Sequence, residues 1–212
     1  MLMKNNFNDI IFTDNSFFEC FDGVECDKNL FLKNWNNRYA ALVHESKIKF
    51  NLETVNDWSE SDIFFLIPID SLKSTHIDLS LRVSHSSVKV NLHMVSFVRE
   101  CPEVVLNWSV VMSEGIQNSS VSLLEESIIL SDKVKIKNLP LLDIRSKNIM
   151  ASHGAKIYRL DWDKLFYLES KWLDSRKAKW ILLSSYVEKL FSWINLDDRE
   201  KSQLYEEYFY FF

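Results

Sequence analysis

Residues 76–94 read HIDLSLRVSHSSVKVNLHM, and this stretch indicates the fold class. Apolar side chains occupy every second position on both sides of a short polar break at residues 84–87. A period of two is typical of β-strands that bury one face and expose the other. Short β-branched runs continue as far as residue 136, without glycine-rich hairpin turns between them. The sequence therefore predicts an all-β middle of the chain.

Helical periodicity flanks this middle on both sides. Apolar residues recur at steps of three and four over residues 28–50, which predicts an N-terminal helix. The last quarter of the chain has the same spacing and suitable N-cap residues, namely Asp161, then Asp174 or Ser175, and then Asp197 with Glu200 three residues later. We therefore predict a helical or irregular segment over 1–60, a β core over 61–160 and a helical segment over 161–212.

The composition is that of an ordinary globular chain. It has 212 residues, of which 47% are apolar and 26% charged, so an intrinsically disordered chain is not expected. No apolar run approaches the roughly 20 residues that a bilayer span needs. The formal net charge of −5 argues against a module that binds nucleic acid by neutralising phosphates. We expect neither a membrane nor a nucleic acid as partner.

Few residues suggest chemistry of their own. Cys20, Cys26 and Cys101 form no C-x-x-C pair, which predicts neither a disulfide framework nor a zinc site. The adjacent acids Glu125 and Glu126 lack clearly apolar surroundings, so we expect a solvated turn there. No nucleophile with a matching base is visible, which argues against an enzyme that acts alone. The N-terminus lacks the basic start of a signal peptide, and we expect a reducing compartment.

An ordered series of short motifs lies within residues 127–191. They are Ser131-Asp132 after an apolar strand, Pro140 before Leu142-Asp143-Ile144, Ala151-Ser152-His153-Gly154-Ala155, Leu160-Asp161, and Leu165-Phe166-Tyr167-Leu168 followed by Ser170. The series resembles the C-terminal core of the SufB/SufD family of iron–sulfur cluster assembly scaffolds, over about a third of the chain. The Ser-His-Gly-Ala form resembles the D-type subunit, because B-type subunits have His-Glu-Ala there.

This resemblance implies a mostly β fold: a short right-handed parallel β-helix with the N-terminal helix and the C-terminal helical segment at its ends. A β-helix stacks its strands coil upon coil, which suits strands joined by short polar corners. One departure from the family concerns the end of the first C-terminal helix, where Trp172 replaces a glycine. Since glycine would end that helix with left-handed dihedral angles, we expect a differently built corner.

The resemblance also implies a function. It predicts a SufD-like scaffold subunit without a catalytic site of its own, which pairs with a SufB-type subunit and docks a SufC-type ATPase. A homodimer is the other assembly considered. No cofactor is expected to be tightly bound, but an iron–sulfur cluster would form transiently at a subunit interface. The alternative is a β-helix interaction protein that has lost cluster chemistry. The compartment would be the cytoplasm, or an organelle stroma or matrix in a eukaryote.

The same resemblance suggests which residues act. His153 is the candidate iron ligand, since its Ser-His-Gly-Ala frame resembles that of the D-type histidine implicated in cluster assembly. The candidate ATPase-binding residues are large aromatic side chains in the C-terminal helices: Phe166, Tyr167, Trp180, Tyr186 and Trp193. The candidate scaffold-pairing strand covers residues 143–152, with Ile144, Arg145 and Ile149 as contact residues and His153 directly after the strand.

Overall fold

The computed structural model describes residues 9–11, 16–70, 75–101, 103–131, 134–193 and 197–209. Within these ranges the chain forms twelve β-strands and then a set of helices. Asp132 of the Ser-Asp motif lies outside the described residues, as do the two ends of the predicted segmentation, residues 1–8 and 210–212.

Successive strands alternate between two sheets, here called the odd sheet and the even sheet. The odd sheet contains β1 (Asp9–Ile11), β3 (Glu25–Leu32), β5 (Lys47–Thr54), β7 (Thr75–Val83), β9 (Val104–Met112) and β11 (Ile136–Ile144), in that order. The even sheet contains β2 (Ser16–Asp22), β4 (Asn36–His44), β6 (Glu60–Asp70), β8 (Lys89–Glu100), β10 (Gln117–Ile129) and β12 (Asn148–Arg159), also in chain order.

Neighbouring strands in each sheet are parallel, and together they form a parallel β-helix. Lys47 pairs with His76 in the odd sheet, and Thr75 pairs with Val104, so one full coil of the chain takes about 29 residues there. Each coil contributes one strand to each sheet, and corners of a few residues join them. The predicted mostly β fold with helices at its C-terminal side is confirmed.

The predicted N-terminal helix is wrong. Residues 28–50 form most of β3, all of β4 and the first half of β5. Their buried apolar positions alternate, as at Leu30 and Leu32, and the polar corners between strands add the extra residues that imitate helical steps. Trp35 continued the apparent helical stripe but lies in a corner and is 74% exposed. Strand pairing therefore begins well before residue 61, where the β core was predicted to start.

The interior of the β-helix is a continuous apolar core between the two sheets. Inward side chains of successive coils stack upon one another, and large rings meet edge to face, as Phe50 and Phe65 do with 4.8 Å between centroids. Tyr39 and Trp108 are almost completely buried in the same core. Since each coil covers the next one, the core extends through the solenoid without interruption.

A second apolar cluster covers the outer face of the even sheet. The helices that follow β12 are α1 (Trp162–Ser170), α2 (Ser175–Trp193) and α3 (Asp198–Leu204), which continues into a π-helical turn (Tyr205–Phe209). Leu183, Val187 and Leu190 of α2 pack against Phe64 and Phe97 of the sheet. Among the helices described, none combines the length and the apolar character that crossing a bilayer would require.

The predicted helix caps are confirmed. Asp161 accepts hydrogen bonds from the backbone N–H groups of Asp163 and Lys164 at the start of α1. Asp174, rather than Ser175, accepts from the N–H of Lys177 at the start of α2 (2.9 Å). At α3 the side chains of Asp197 and Glu200 exchange hydrogen bonds with each other's backbone N–H groups, a capping box.

The corner after α1 follows the glycine-type geometry although no glycine is present. Trp172 adopts a φ of 67°, in the left-handed region, and its N–H donates to the carbonyl of Glu169. The expectation of a differently built corner is therefore wrong. A non-glycine residue in this conformation costs about 1 kcal/mol, and the Trp172 side chain avoids further clashes because it is 98% exposed.

An ion pair lies inside the first coils of the β-helix. Lys28 Nζ is 3.0 Å from Glu19 Oε1, and the two side chains are only 1% and 3% exposed. The Tyr39 hydroxyl donates to Glu19 Oε2 (2.8 Å), and Lys28 Nζ lies 5.7 Å from the centre of the Phe21 ring. Burial raises the pKa of Glu19, while Lys28 and Tyr39 counteract that rise. The two charges thus compensate each other in an apolar interior.

Removal of one charge from this pair should be costly. In Lys28→Ala the Glu19 carboxylate stays buried without its counter-ion, and we expect the free energy of unfolding in urea to fall by about 3–5 kcal/mol. Lys49→Ala, an exposed lysine of the same sheet, is the matched control and should change it by less than about 0.5 kcal/mol. Equal effects of the two substitutions would show that the buried pair has no special role.

Candidate functional site

The β-helix has an open end at its last coil. Strands β11 and β12 are the edge strands at this end of their sheets, and among the described residues each pairs with one neighbour only, β9 and β10 respectively. Helices α2 and α3 pack on the outer face of the even sheet and so do not extend the stack of coils. One row of backbone donors and acceptors along each edge strand is therefore without a strand partner among the described residues.

The open end also exposes apolar side chains that would be core residues in any earlier coil. Ile144 is in register with Met112, which is fully buried, yet Ile144 is exposed. Leu142 is exposed in the same way next to the buried Val110, and Ile157 next to the buried Ser127. Leu139, Leu141 and Met150 are exposed as well, at outward positions that are in register with the polar residues Asn107, Ser109 and Ser120. An apolar surface bordered by unpaired strand edges is typical of an interaction site.

His153 lies in the middle of β12 and faces the interior of the last coil. It is in register with Leu123, whose side chain is part of the main core. Its Nε2 atom is buried and has no hydrogen-bond partner. Burial lowers the pKa of His153, so the neutral imidazole is favoured. The prediction that His153 follows the pairing strand is thus corrected, because the residue belongs to the strand itself.

A small void borders the imidazole. It measures about 10 Å³, about the space of one water molecule. Its lining residues are Trp108, Val110, Leu123, Pro140, Leu141, Leu142, Ser152 and His153. Pro140 and Leu142 belong to the open edge strand β11, so only the last coil separates this void from the end of the β-helix.

Glu125 on β10, the strand that pairs with β12, is a second polar residue in the interior. It is completely buried, and its Oε2 atom has no hydrogen-bond partner. Burial raises the pKa of Glu125 to about 7, although nearby Asn138, Ser127 and Trp108 counteract part of the rise. The expectation of a solvated turn at Glu125-Glu126 is wrong. A carboxyl group with this pKa can hold or release a proton near neutral pH.

Two more buried polar atoms lie on strands around Glu125 and His153. Neither Trp108 Nε1 on β9 nor Asn138 Oδ1 on β11 makes a hydrogen bond of ordinary geometry. Because an unpaired buried polar group costs about 1–3 kcal/mol, such groups are rare unless a water or a ligand satisfies them. This end of the β-helix thus combines an open edge with an imidazole nitrogen, a carboxyl oxygen, an amide oxygen and an indole N–H that lack hydrogen-bond partners.

The predicted pairing residues occupy three different environments. The segment 143–152 is not one strand but the end of β11, a corner and the start of β12. Ile144 is exposed at the end of β11, and Arg145 lies in the corner with Nη2 2.5 Å from Asp143 Oδ2. Ile149 packs against the main core. Of the three residues, Ile144 and Arg145 are accessible to a partner.

The predicted ATPase-binding aromatics divide in a similar way. Phe166 and Tyr167 on α1 are 73% and 60% exposed. Trp180 packs against Tyr205 and Phe209 beside a cavity of about 500 Å³ between α2 and the π-helical turn. The Tyr186 ring packs against Phe97, and its hydroxyl is 2.7 Å from that of Tyr158. Trp193 ends α2, but its side chain lies outside the described residues.

The cysteines contribute no cluster of ligands. Cys20 and Cys26 are half-buried thiols that form no disulfide, and Cys101 is buried with its Sγ 3.2 Å from the carbonyl oxygen of Glu103. Over the described ranges, no three His, Cys, Asp or Glu side chains are grouped so as to hold a metal ion.

Glu125 was missed although the sequence contains a signal for it. Residues 121–129 alternate as a strand, and two adjacent acids in a strand must point to opposite faces. One of them therefore had to be inside the fold. The sequence around Trp108 and Asn138 contains no comparable indication of a site. Only the pairing of β9 with β11 brings these two residues to the end of the β-helix.

Comparison with known proteins identifies the family. The sequence model "SUF system FeS cluster assembly, SufBD core domain" matches residues 38–186, from β4 into α2. An iron–sulfur cluster assembly SufBD family protein of Synechocystis sp. is 29% identical over 125 residues, which is 59% of this chain and 27% of that protein. "Protein ABCI7, chloroplastic" of Arabidopsis thaliana is 27% identical over 95 residues, which is 45% of this chain and 20% of that protein.

The chain thus spans about a quarter of the length of the curated relatives it matches. The family match itself covers well over half of the chain, including both edge strands and His153. On this evidence the chain belongs to the SufBD family of iron–sulfur cluster assembly proteins.

Proposed function

We propose that the chain is a SufD-like scaffold subunit, which pairs with a SufB-type subunit through its open last coil and docks a SufC-type ATPase through its C-terminal helices. The observation that carries the proposal is the last coil itself, where unpaired strand edges, exposed apolar residues and His153 occur together. The chain needs no catalytic site of its own in this function, because the ATPase partner hydrolyses the nucleotide.

Pairing with a second scaffold would satisfy the open end in two ways. A strand of the partner could add to β11 or β12 and form hydrogen bonds with the free backbone edge. Its side chains would cover exposed apolar residues such as Ile144 and Ile157. The ion pair between Arg145 and Asp143 at the corner places charges beside this edge, which disfavours pairing with unselected strands.

The nascent iron–sulfur cluster is the cargo of this interface. A neutral imidazole nitrogen is a suitable iron ligand, and burial favours that form of His153. Its Nε2 has no hydrogen bond that ligation would have to break. The inward position two residues before it on β12 is Ala151, which provides no thiolate, so the sulfur ligands would come from the partner. Glu125 on the neighbouring strand β10 is available as a proton acceptor.

Docking of the ATPase is supported by the exposed aromatic face of α1. Only Leu165 of this helix is buried, whereas Trp162, Phe166 and Tyr167 are exposed. Trp162 and Phe166 are four residues apart and so lie on the same face. Exposed aromatics on a rigid helix are typical anchors of protein interfaces. Helix α2, in contrast, is largely used to cover the even sheet, so α1 is the more accessible part of the platform.

The alternative function is an interaction protein that retains pairing and docking without cluster chemistry. The inward orientation of His153 is the observation in its favour, since the imidazole does not project toward a partner. We place either function in the cytoplasm or in an organelle stroma or matrix, and the printed name of the Arabidopsis relative includes the word chloroplastic.

Substitution of His153 tests the chemistry. The chain is combined with a SufB-type subunit and a SufC-type subunit. A cluster is then reconstituted under anaerobic conditions and followed by its visible absorption. We expect His153→Ala to lose most of the cluster absorption while size-exclusion chromatography shows an intact complex. Ser152→Ala, on the opposite face of the same strand, is the matched control and should behave like wild type.

Cluster formation by His153→Ala at the wild-type yield would refute the role of His153. A wild-type complex that assembles but never acquires a cluster would favour the alternative function. Failure of the wild-type chain to bind either subunit would refute the proposed function as a whole.

Substitution of the α1 aromatics tests the docking surface. The double variant Phe166→Ala/Tyr167→Ala should bind the ATPase subunit at least about 30-fold more weakly in calorimetric titrations, because loss of interface anchors costs about 2 kcal/mol or more. Both side chains are exposed, so circular dichroism should show an unchanged fold. Trp35→Ala removes an equally exposed aromatic from a corner of the β-helix and should leave the affinity unchanged. Unchanged affinity of the double variant would place the docking surface elsewhere.

A further inference from the structure

A row of three hydrogen-bonded side chains, Lys189, His93 and Glu126, joins helix α2 to the even sheet. Lys189 Nζ of α2 is 2.7 Å from His93 Nδ1 of β8. On the other side of the ring, His93 Nε2 is 3.1 Å from Glu126 Oε2 of β10. The side chains of His93 and Glu126 are only 15% and 11% exposed, so these hydrogen bonds lie beneath the helix rather than on the open surface.

The geometry fixes the protonation state of His93. A lysine ammonium group can only donate hydrogen bonds, so Nδ1 of His93 must be the acceptor and carry no proton. The proton of the neutral ring is then on Nε2, from which it is donated to Glu126. Burial lowers the pKa of His93, and the nearby Lys189 ammonium lowers it further, which is consistent with a neutral ring.

The remaining charged groups around His93 come from each neighbouring element. Glu126 Oε1 on β10 is 3.2 Å from Lys156 Nζ on β12. Asp62 on β6 accepts a hydrogen bond from Asn91 on β8 (2.9 Å). Its negative charge favours the protonated form of Lys189. With a neutral His93, the negative charges of Asp62 and Glu126 balance the positive charges of Lys156 and Lys189. A protonated His93 would add an uncompensated positive charge in a partly buried site.

Protonation would also remove the contact that holds the helix. A proton on Nδ1 would point at the Lys189 ammonium 2.7 Å away, so two cationic donors would face each other with no acceptor between them. Lys189 would have to move. Its ammonium also lies 5.2 Å from the centre of the Phe64 ring, and that cation–π contact would be disturbed together with the hydrogen bond.

We propose that His93 is an acid-sensitive latch, which holds α2 against the β-helix while neutral and loosens the helix when Nδ1 is protonated. The apolar contacts of Leu183, Val187 and Leu190 remain, so the helix opens more often but does not dissociate. This device belongs to the chain itself and does not depend on the proposed role in cluster assembly.

The direction of the pH effect follows from proton linkage. Because the pKa of His93 is lower in the folded chain, the opened state binds the proton more readily, and the closed state is lost as the pH falls below about 6.5. One proton changes the opening equilibrium by at most about tenfold per pH unit. The latch is therefore most stable above neutral pH and weakens as the pH falls below about 6.5.

Hydrogen exchange of the α2 amides provides the test. Exchange over residues 175–193, corrected for the intrinsic pH dependence of amide exchange, is compared at pH 7.5 and 5.5. We expect opening of α2 in the wild type to become several-fold more populated at pH 5.5. His93→Gln can still accept and donate hydrogen bonds but does not titrate, so its α2 should show no such increase. His76→Gln on the odd sheet is the matched control and should respond like wild type.

An equal acid response in wild type and His93→Gln would overturn the proposal, as would an absence of any response of α2 in the wild type. A second variant guards against a folding defect in His93→Gln. Lys189→Met keeps His93 and most of the packing of the lysine stem, and the His93 titration is followed by NMR. We expect the titration midpoint to move upward when the ammonium is removed, and an unchanged midpoint would show that Lys189 does not control the ring.

Discussion

Backbone hydrogen bonding between stacked coils is the constraint on which the rest of this structure depends. Every strand of a parallel β-helix obtains its partners from the coils before and after it, so the last coil necessarily has one unpaired edge. The helices after β12 are used on the outer face of the even sheet and leave that edge free. The exposure of Leu142, Ile144 and Ile157 follows from the same constraint, because they occupy interior positions that lack a covering coil.

The pKa values of the polar residues near the open end differ from those of free side chains because of where these residues lie. In the first coils, Lys28 and Glu19 compensate each other in a closed apolar interior. Near the open end, Glu125 on β10 and the Nε2 atom of His153 on β12 are buried without an ion-pair partner among the described residues, and the pKa values of both residues move in the directions that favour the neutral forms. Burial raises the pKa of both carboxyl groups, but at Glu19 a lysine counteracts the rise, whereas at Glu125 uncharged hydrogen-bonding groups do.

Part of the fold and of the candidate site could be predicted from the sequence. The alternation at residues 76–94 predicted strands, and the caps at Asp161 and Asp197 predicted helix starts, because both depend on local spacing. The prediction failed at residues 28–50, where corners of two or three residues shift the register of short strands and imitate a helical period. Glu125 was misjudged because its burial depends on which face of β10 is inward, and the open coil could not be predicted because pairing between distant strands creates it.

Hydrogen–deuterium exchange of the chain, alone and mixed with a SufB-type subunit, tests the central claim most directly. Amides of the edge strands β11 and β12 have no outer strand partner among the residues that the structure describes. If the open coil is the pairing surface, peptides covering residues 136–159 should become strongly protected in the complex, whereas those covering β5 to β8 should not change. Protection confined to the helices or to β2–β4, with 136–159 exchanging as before, would contradict the account.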